Sequence, residues 1–140
     1  MKSKYFDLEE FLTSSTARQR SIENMPSWEV VQNLLELALF LDGVREAWGS
    51  GIRINSGFRN DKLNTAVGGV ATSAHRYGFA ADLYPVNGKF DEFVAFMRKY
   101  LKDKDFDQCI TEGSKKSHWV HFGLWSPSKK QRKMLFEINK

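Results

Sequence analysis

Apolar positions recur along this chain in two rhythms, one near 3.6 residues and one near 2, and the changes of rhythm mark element boundaries. Over 28–48, Val30, Val31, Leu34, Leu35, Leu37, Ala38, Leu41, Val44 and Trp48 return at helical spacing. The pattern predicts a long helix that starts after Pro26-Ser27 and stops at Gly49-Ser50-Gly51. A second amphipathic helix is predicted over 90–101, where Phe90, Phe93, Val94, Met97 and Leu101 share one face. Shorter helices are predicted over 7–14, with Asp7 as N-cap, and over 60–67, ending at Gly68-Gly69.

The period shortens to two elsewhere. Residues 52–56 alternate as a short strand, with Gly57-Phe58-Arg59 as the turn that follows. Residues 79–84 read as a strand that stops at Pro85. Residues 106–111 and 119–124 read as a hairpin joined by the polar stretch Glu112-Gly113-Ser114-Lys115-Lys116-Ser117. Beyond Ser126-Pro127-Ser128, Met134, Phe136 and Ile138 alternate with Leu135 and Glu137, which favours a final strand over a helix. No repeat or linker interrupts the chain. The expectation is one α+β domain over 1–140, with a small, mostly antiparallel sheet and the helices packed on one side.

Composition narrows the class. Of 140 residues, 41% are hydrophobic and 14% aromatic, which belongs to a folded protein with an aromatic-rich core. No apolar run approaches the roughly 20 residues that cross a bilayer. The basic start, Met1-Lys2-Ser3-Lys4, is not followed by an apolar signal-peptide stretch, so synthesis and folding in a cytoplasm are expected. The net charge of +4 is uneven: residues 115–140 sum to +6 and the rest to −2. Such a tail suits an anionic polymer such as cell-wall material, although a solvated surface explains it as simply. The acidic residues elsewhere argue against nucleic acid, and a monomer is expected. Cys109 is the only cysteine, which rules out an intrachain disulfide and argues against a thiolate metal site. Its setting, between Gln108 and Ile110, favours a packed small hydrophobe over a nucleophile.

The candidate chemistry sits in two short clusters. All three histidines lie there: His75 in Ser73-Ala74-His75-Arg76-Tyr77-Gly78-Phe79-Ala80-Ala81-Asp82, and His118 and His121 in Ser117-His118-Trp119-Val120-His121-Phe122. A catalytic zinc takes three nitrogen or oxygen ligands and keeps an open position for water. His75 on a turn, Asp82 on the next strand and one histidine of a neighbouring strand can supply that set. On a regular strand His118 and His121 point to opposite faces, so only one of them should be a ligand.

The pattern S-x-H-x-x-G-x-A-x-D resembles the signature of the M15 peptidases, which include zinc DD-carboxypeptidases, D,D-dipeptidases and phage L-alanyl-D-glutamate endolysins. Ile54-Asn55-Ser56-Gly57-Phe58-Arg59 is similar to the family's strand and turn carrying a substrate-facing arginine. Leu63-Asn64-Thr65-Ala66-Val67-Gly68-Gly69 resembles the approach to its first ligand, and Trp119-Val120-His121-Phe122 the strand with its last. The likeness covers residues ~50 to 125 and is nearest to the phage-encoded branch. It implies a hedgehog-like α+β fold, one Zn2+ held by His75, Asp82 and His121, and Arg59 facing a substrate carboxylate or oxyanion. It further implies that Ser73 orients the ligand loop and that Gly78 supplies a permissive turn.

One position departs from the family. Many relatives carry a carboxylate three residues before the last ligand, and here that residue is His118. The general base is therefore either His118 or Glu112, with Glu112 preferred because carboxylates are the usual base in zinc peptidases. The implied function is hydrolysis of a stem-peptide bond in peptidoglycan, D-Ala-D-Ala or L-Ala-D-Glu, by a phage or prophage endolysin. A virion-associated or host wall-remodelling peptidase, or a non-catalytic binding module stabilised by zinc, are the alternatives.

Overall fold

The computed structural model describes residues 2–114 and 116–139, so Lys115 and Lys140, two cations of the basic tail, lie outside the described residues. In chain order the elements are α1 Leu8–Leu12, α2 Ser15–Gln19, α3 Trp28–Trp48, β1 Ile52–Ser56, α4 Asp61–Ala66, β2 Ala80–Pro85, α5 Phe90–Tyr100, β3 Gln108–Gly113, β4 His118–Gly123 and β5 Met134–Asn139. Two short 3-10 turns add Ala74–Tyr77 and Leu101–Asp103. The class is α+β, as the periodicities imply.

The strands form one sheet in the order β1-β2-β4-β3-β5. All neighbours are antiparallel except β3 and β5, which run parallel. Alternation then gives the sheet two unlike faces. Ala81, Leu83, Cys109, Val120 and Phe122 look into the main core. There they meet Leu34, Leu37, Leu41 and Val44 of α3 and Phe93 and Met97 of α5. Phe40 of α3 stacks on Phe122 at 5.1 Å, and Trp48 meets Phe93 edge-on at 5.2 Å. Burial of these rings, each worth about 1.5–3 kcal/mol, anchors α3 and α5 to that face. The opposite face is left for chemistry. Among the described residues no helix is long and apolar enough to cross a membrane.

Three boundaries differ from the periodicity. The first helix ends at Leu12, with Thr13 extended, and a further helix that the periodicity does not mark, α2, follows, capped by Ser14 accepting from the Ala17 amide. The 106–111 strand runs instead over Gln108–Gly113, because Glu112 and Gly113 still pair with Trp119 and His118. The hairpin loop is correspondingly shorter, and Glu112 belongs to β3 rather than to a flexible connection. Finally, β2 includes Pro85, which is tolerated because pairing with β4 has ended at Leu83.

Candidate metal centre

His75 lies on the 3-10 turn Ala74–Tyr77, which Ser73 caps: its hydroxyl oxygen accepts from the His75 amide at 3.3 Å. Gly78 closes that turn with φ +76, and a Cβ there would stand 3.0 Å from the Val30 carbonyl oxygen. Left-handed backbone and lack of room both require glycine at this position. The turn after β1 grips the histidine from two sides. The Gly57 carbonyl accepts from His75 Nδ1 at 2.7 Å, and the Arg59 amide donates to the His75 carbonyl at 3.0 Å. Because a carbonyl only accepts, Nδ1 carries the ring hydrogen and Nε2 is turned toward Asp82.

Asp82 and His121 are directly opposite in the β2–β4 ladder, so their side chains share a face. One donor atom from each of His75, Asp82 and His121 lies within 4.8 Å of the other two. Asp82 Oδ1 is 3.3 Å from His75 Nε2 and 3.1 Å from His121 Nδ1. Donors held at zinc's usual bond length around a tetrahedral ion stand about 3.3–3.4 Å apart, so these separations fit the metal. The bonding pattern fits as well. With Nδ1 engaged by Gly57, Nε2 is the nitrogen of His75 left to face the Asp82 oxygen, as a metal ligand in this position would be. Burial pushes the Asp82 carboxyl up, but the charges and hydrogen bonds of His75 and His121 outweigh it and hold it well below the usual carboxylate range.

These donors open onto a cavity of about 790 Å3. Arg59, Glu112 and Trp119 share its wall with them. Glu112 arrives there by alternation: Ile110 pairs with His121 and Glu112 with Trp119, so both point to the metal face. Burial lowers the Arg59 pKa, while the charges of Asp82 and Glu112 raise it, and its Nε is buried with no partner among the described residues. His118 falls on the other face, its ring 4.3 Å from that of Phe90 and 6.0 Å from that of Tyr84. The structure thus brings His75, Asp82, His121, Arg59 and Glu112 together and sets His118 apart.

Cys109 is buried in the core, where desolvation pushes its thiol up to about 12 against a weak opposing pull from Arg98. A thiol in that state is no nucleophile.

Residues that the pattern alone did not single out also build the site. Asn24 donates to the Leu12 and Phe58 carbonyls at 3.0 and 2.9 Å and accepts from the Asn60 amide at 2.9 Å. It ties the Arg59 turn to the N-terminal helices. Nothing local marks an asparagine in a loop for that task. Trp119 was visible only as a neighbour of the histidines.

A family model described as Peptidase M15 matches residues 4–122. No curated protein matches the chain. The matched residues take in most of the chain and all three donors, and the chain belongs to the M15 peptidases, a family of zinc metallopeptidases.

Proposed function

We propose that this chain is a peptidoglycan peptidase that hydrolyses a stem-peptide bond, D-Ala-D-Ala or L-Ala-D-Glu, and serves as a phage or prophage endolysin. The observation that carries the proposal is the open cavity in which the three donors meet a carboxylate, Glu112, and a half-buried guanidinium, Arg59. A module that kept zinc only for stability would have no use for that pair beside an open metal position.

His75, Asp82 and His121 would hold a zinc ion, which would lower the pKa of water toward neutrality and polarise the scissile carbonyl. Glu112 takes the proton of the attacking water and returns it to the leaving amine, acting first as base and then as acid. Its place on the paired strand β3 keeps it on the metal face without a loop having to close. Arg59 donates to the substrate carboxylate or to the developing oxyanion through its planar fork. Ser73 and Gly57 position His75, from its amide and its ring nitrogen respectively. His118, against Phe90 and Tyr84, is the weaker candidate for the base because the sheet stands between it and the donors.

Digestion of purified sacculi by the zinc-loaded protein, with and without chelator, tests this reading. The expected result is chelator-sensitive release of fragments whose masses identify a cut at one of the two bonds. If neither sacculi nor short muropeptides are cut, the chain is a binding module of the same fold.

A further inference from the structure

The cavity has a second end that the reaction above does not use. Asp107, Gln108, Ser126, Ser128 and Arg132 line it there. Asp107 is 1% exposed and takes three bonds from one residue: Arg132 Nε at 2.8 Å, Nη2 at 2.8 Å and the Arg132 amide at 3.2 Å. The carboxylate is itself fixed by the sheet, since its amide donates to the Gly123 carbonyl and its carbonyl accepts from the Met134 amide, both at 2.9 Å. Arg132 therefore sits at the rim in one geometry, about half exposed, with none of these bonds using Nη1.

The surroundings are cationic and polar. Lys129 and Lys130 are exposed on the turn closed by the Lys129 amide to the Ser126 carbonyl at 2.8 Å. The Ser126 and Ser128 hydroxyls lie 3.0 Å apart beside them. Asp82, Glu112 and Arg59 lie toward the opposite end of the cavity, with the metal donors. Ile110 pairs with His121, and Asp107 precedes Ile110 by three residues, which puts the ion pair about 10 Å along the strands from the donor row. That is the span of about three extended peptide residues.

We propose that Arg132, preset by Asp107, is a specificity-determining subsite for a substrate carboxylate two to three residues from the bond that is cut. The inference rests on the peptidase reading above and adds to it a requirement for an acidic peptide. A guanidinium already held through Nε and Nη2 loses little rotamer freedom when Nη1 and the remaining Nη2 hydrogen take up a second carboxylate. Arg132 falls outside the residues 4–122 that match the family, whereas its partner Asp107 falls within them.

Kinetics on paired stem pentapeptides tests it, with D-glutamate or D-isoglutamine at the second position and diaminopimelate or lysine at the third. The zinc-loaded protein should prefer at least one acidic member over its neutral partner by roughly 10- to 100-fold in KM, with kcat little changed. Arg132→Lys should shrink that preference, and Asp107→Asn/Arg132→Gln, which leaves no buried charge unpaired, should erase it. Absence of any preference in the wild type, or its persistence in the folded double variant, overturns the proposal and reduces the ion pair to a structural one. Should no peptide be cut, the peptidase reading fails instead. The same peptides titrated calorimetrically into the same protein then judge the subsite by binding alone, with the same ranking expected.

Discussion

The Nδ1 hydrogen of His75 points at the carbonyl oxygen of Gly57, 2.7 Å away, and this contact decides which nitrogen of His75 faces Asp82. It links the metal donors to the chain's packing, because Gly57 is also where the N-terminal segment touches the sheet. A Cβ on Gly57 would stand 2.6 Å from the Phe11 carbonyl oxygen and 2.7 Å from Phe11 Cα. Gly57→Ala must therefore shift the turn. The overlap should cost about 1–3 kcal/mol of stability. Zinc affinity should fall roughly 10- to 100-fold, as read by competition with a chromophoric chelator. Unchanged affinity would detach the turn from the metal site.

The donor assignment makes a sharper forecast. His75→Ala, Asp82→Ala and His121→Ala should each lose tight binding of one zinc per chain, because two protein ligands leave an incomplete site. His118→Ala should keep it, since that ring packs on Phe90 across the sheet. Metal analysis of the purified variants decides the matter. Full zinc content in any of the first three would strike that residue from the set.

Arg59→Lys should fold and bind zinc but turn over more slowly. An ammonium retains the charge yet cannot form the two parallel bonds a guanidinium gives to a carboxylate. A loss of about 10-fold or more in kcat/KM is expected, in keeping with a charge-assisted hydrogen bond. Wild-type turnover would confine Arg59 to bracing its turn.

Cys109 provides a pH test of the core. Its thiol is pushed up to about 12 in the fold, against about 8.5 in an unfolded chain. The folded state therefore favours the neutral thiol, and the associated stability is fully present below pH about 8.5 and is lost as pH climbs toward 12. A thiol reagent at pH 8 should leave the native protein unlabelled and label it quickly in denaturant. Rapid native labelling would contradict the burial.

Much of this was legible in the residues, and for identifiable reasons. Strand alternation puts His118 and His121 on opposite faces, and the resemblance to the M15 signature, rather than the alternation, singles out Asp82 and His121. Glu112 obeys alternation too, although its polar neighbours Ser114 to Ser117 resemble a longer loop and draw the expected strand end back to residue 111. The helix α2 leaves little trace because it is five residues long and buries only Ala17. Partner choice leaves still less trace. The alternation over Met134, Phe136 and Ile138 gives a strand but not its parallel pairing with β3. The Asp107–Arg132 pair spans 25 residues and the Asn24–Phe58 contact 34, and no local pattern encodes either.

We propose that Glu112 performs the proton transfers for hydrolysis at a metal held by His75, Asp82 and His121. This assignment is tested most directly by comparing zinc-loaded Glu112→Gln and His118→Gln on a cleavable muropeptide, with zinc content measured on the same samples. Glutamine keeps the size of Glu112 but not its basicity, so hydrolysis by Glu112→Gln should fall roughly two to four orders of magnitude with one zinc still bound. His118→Gln should stay much closer to wild type. The reverse ranking, with zinc intact in both, would contradict the account and move the base to His118.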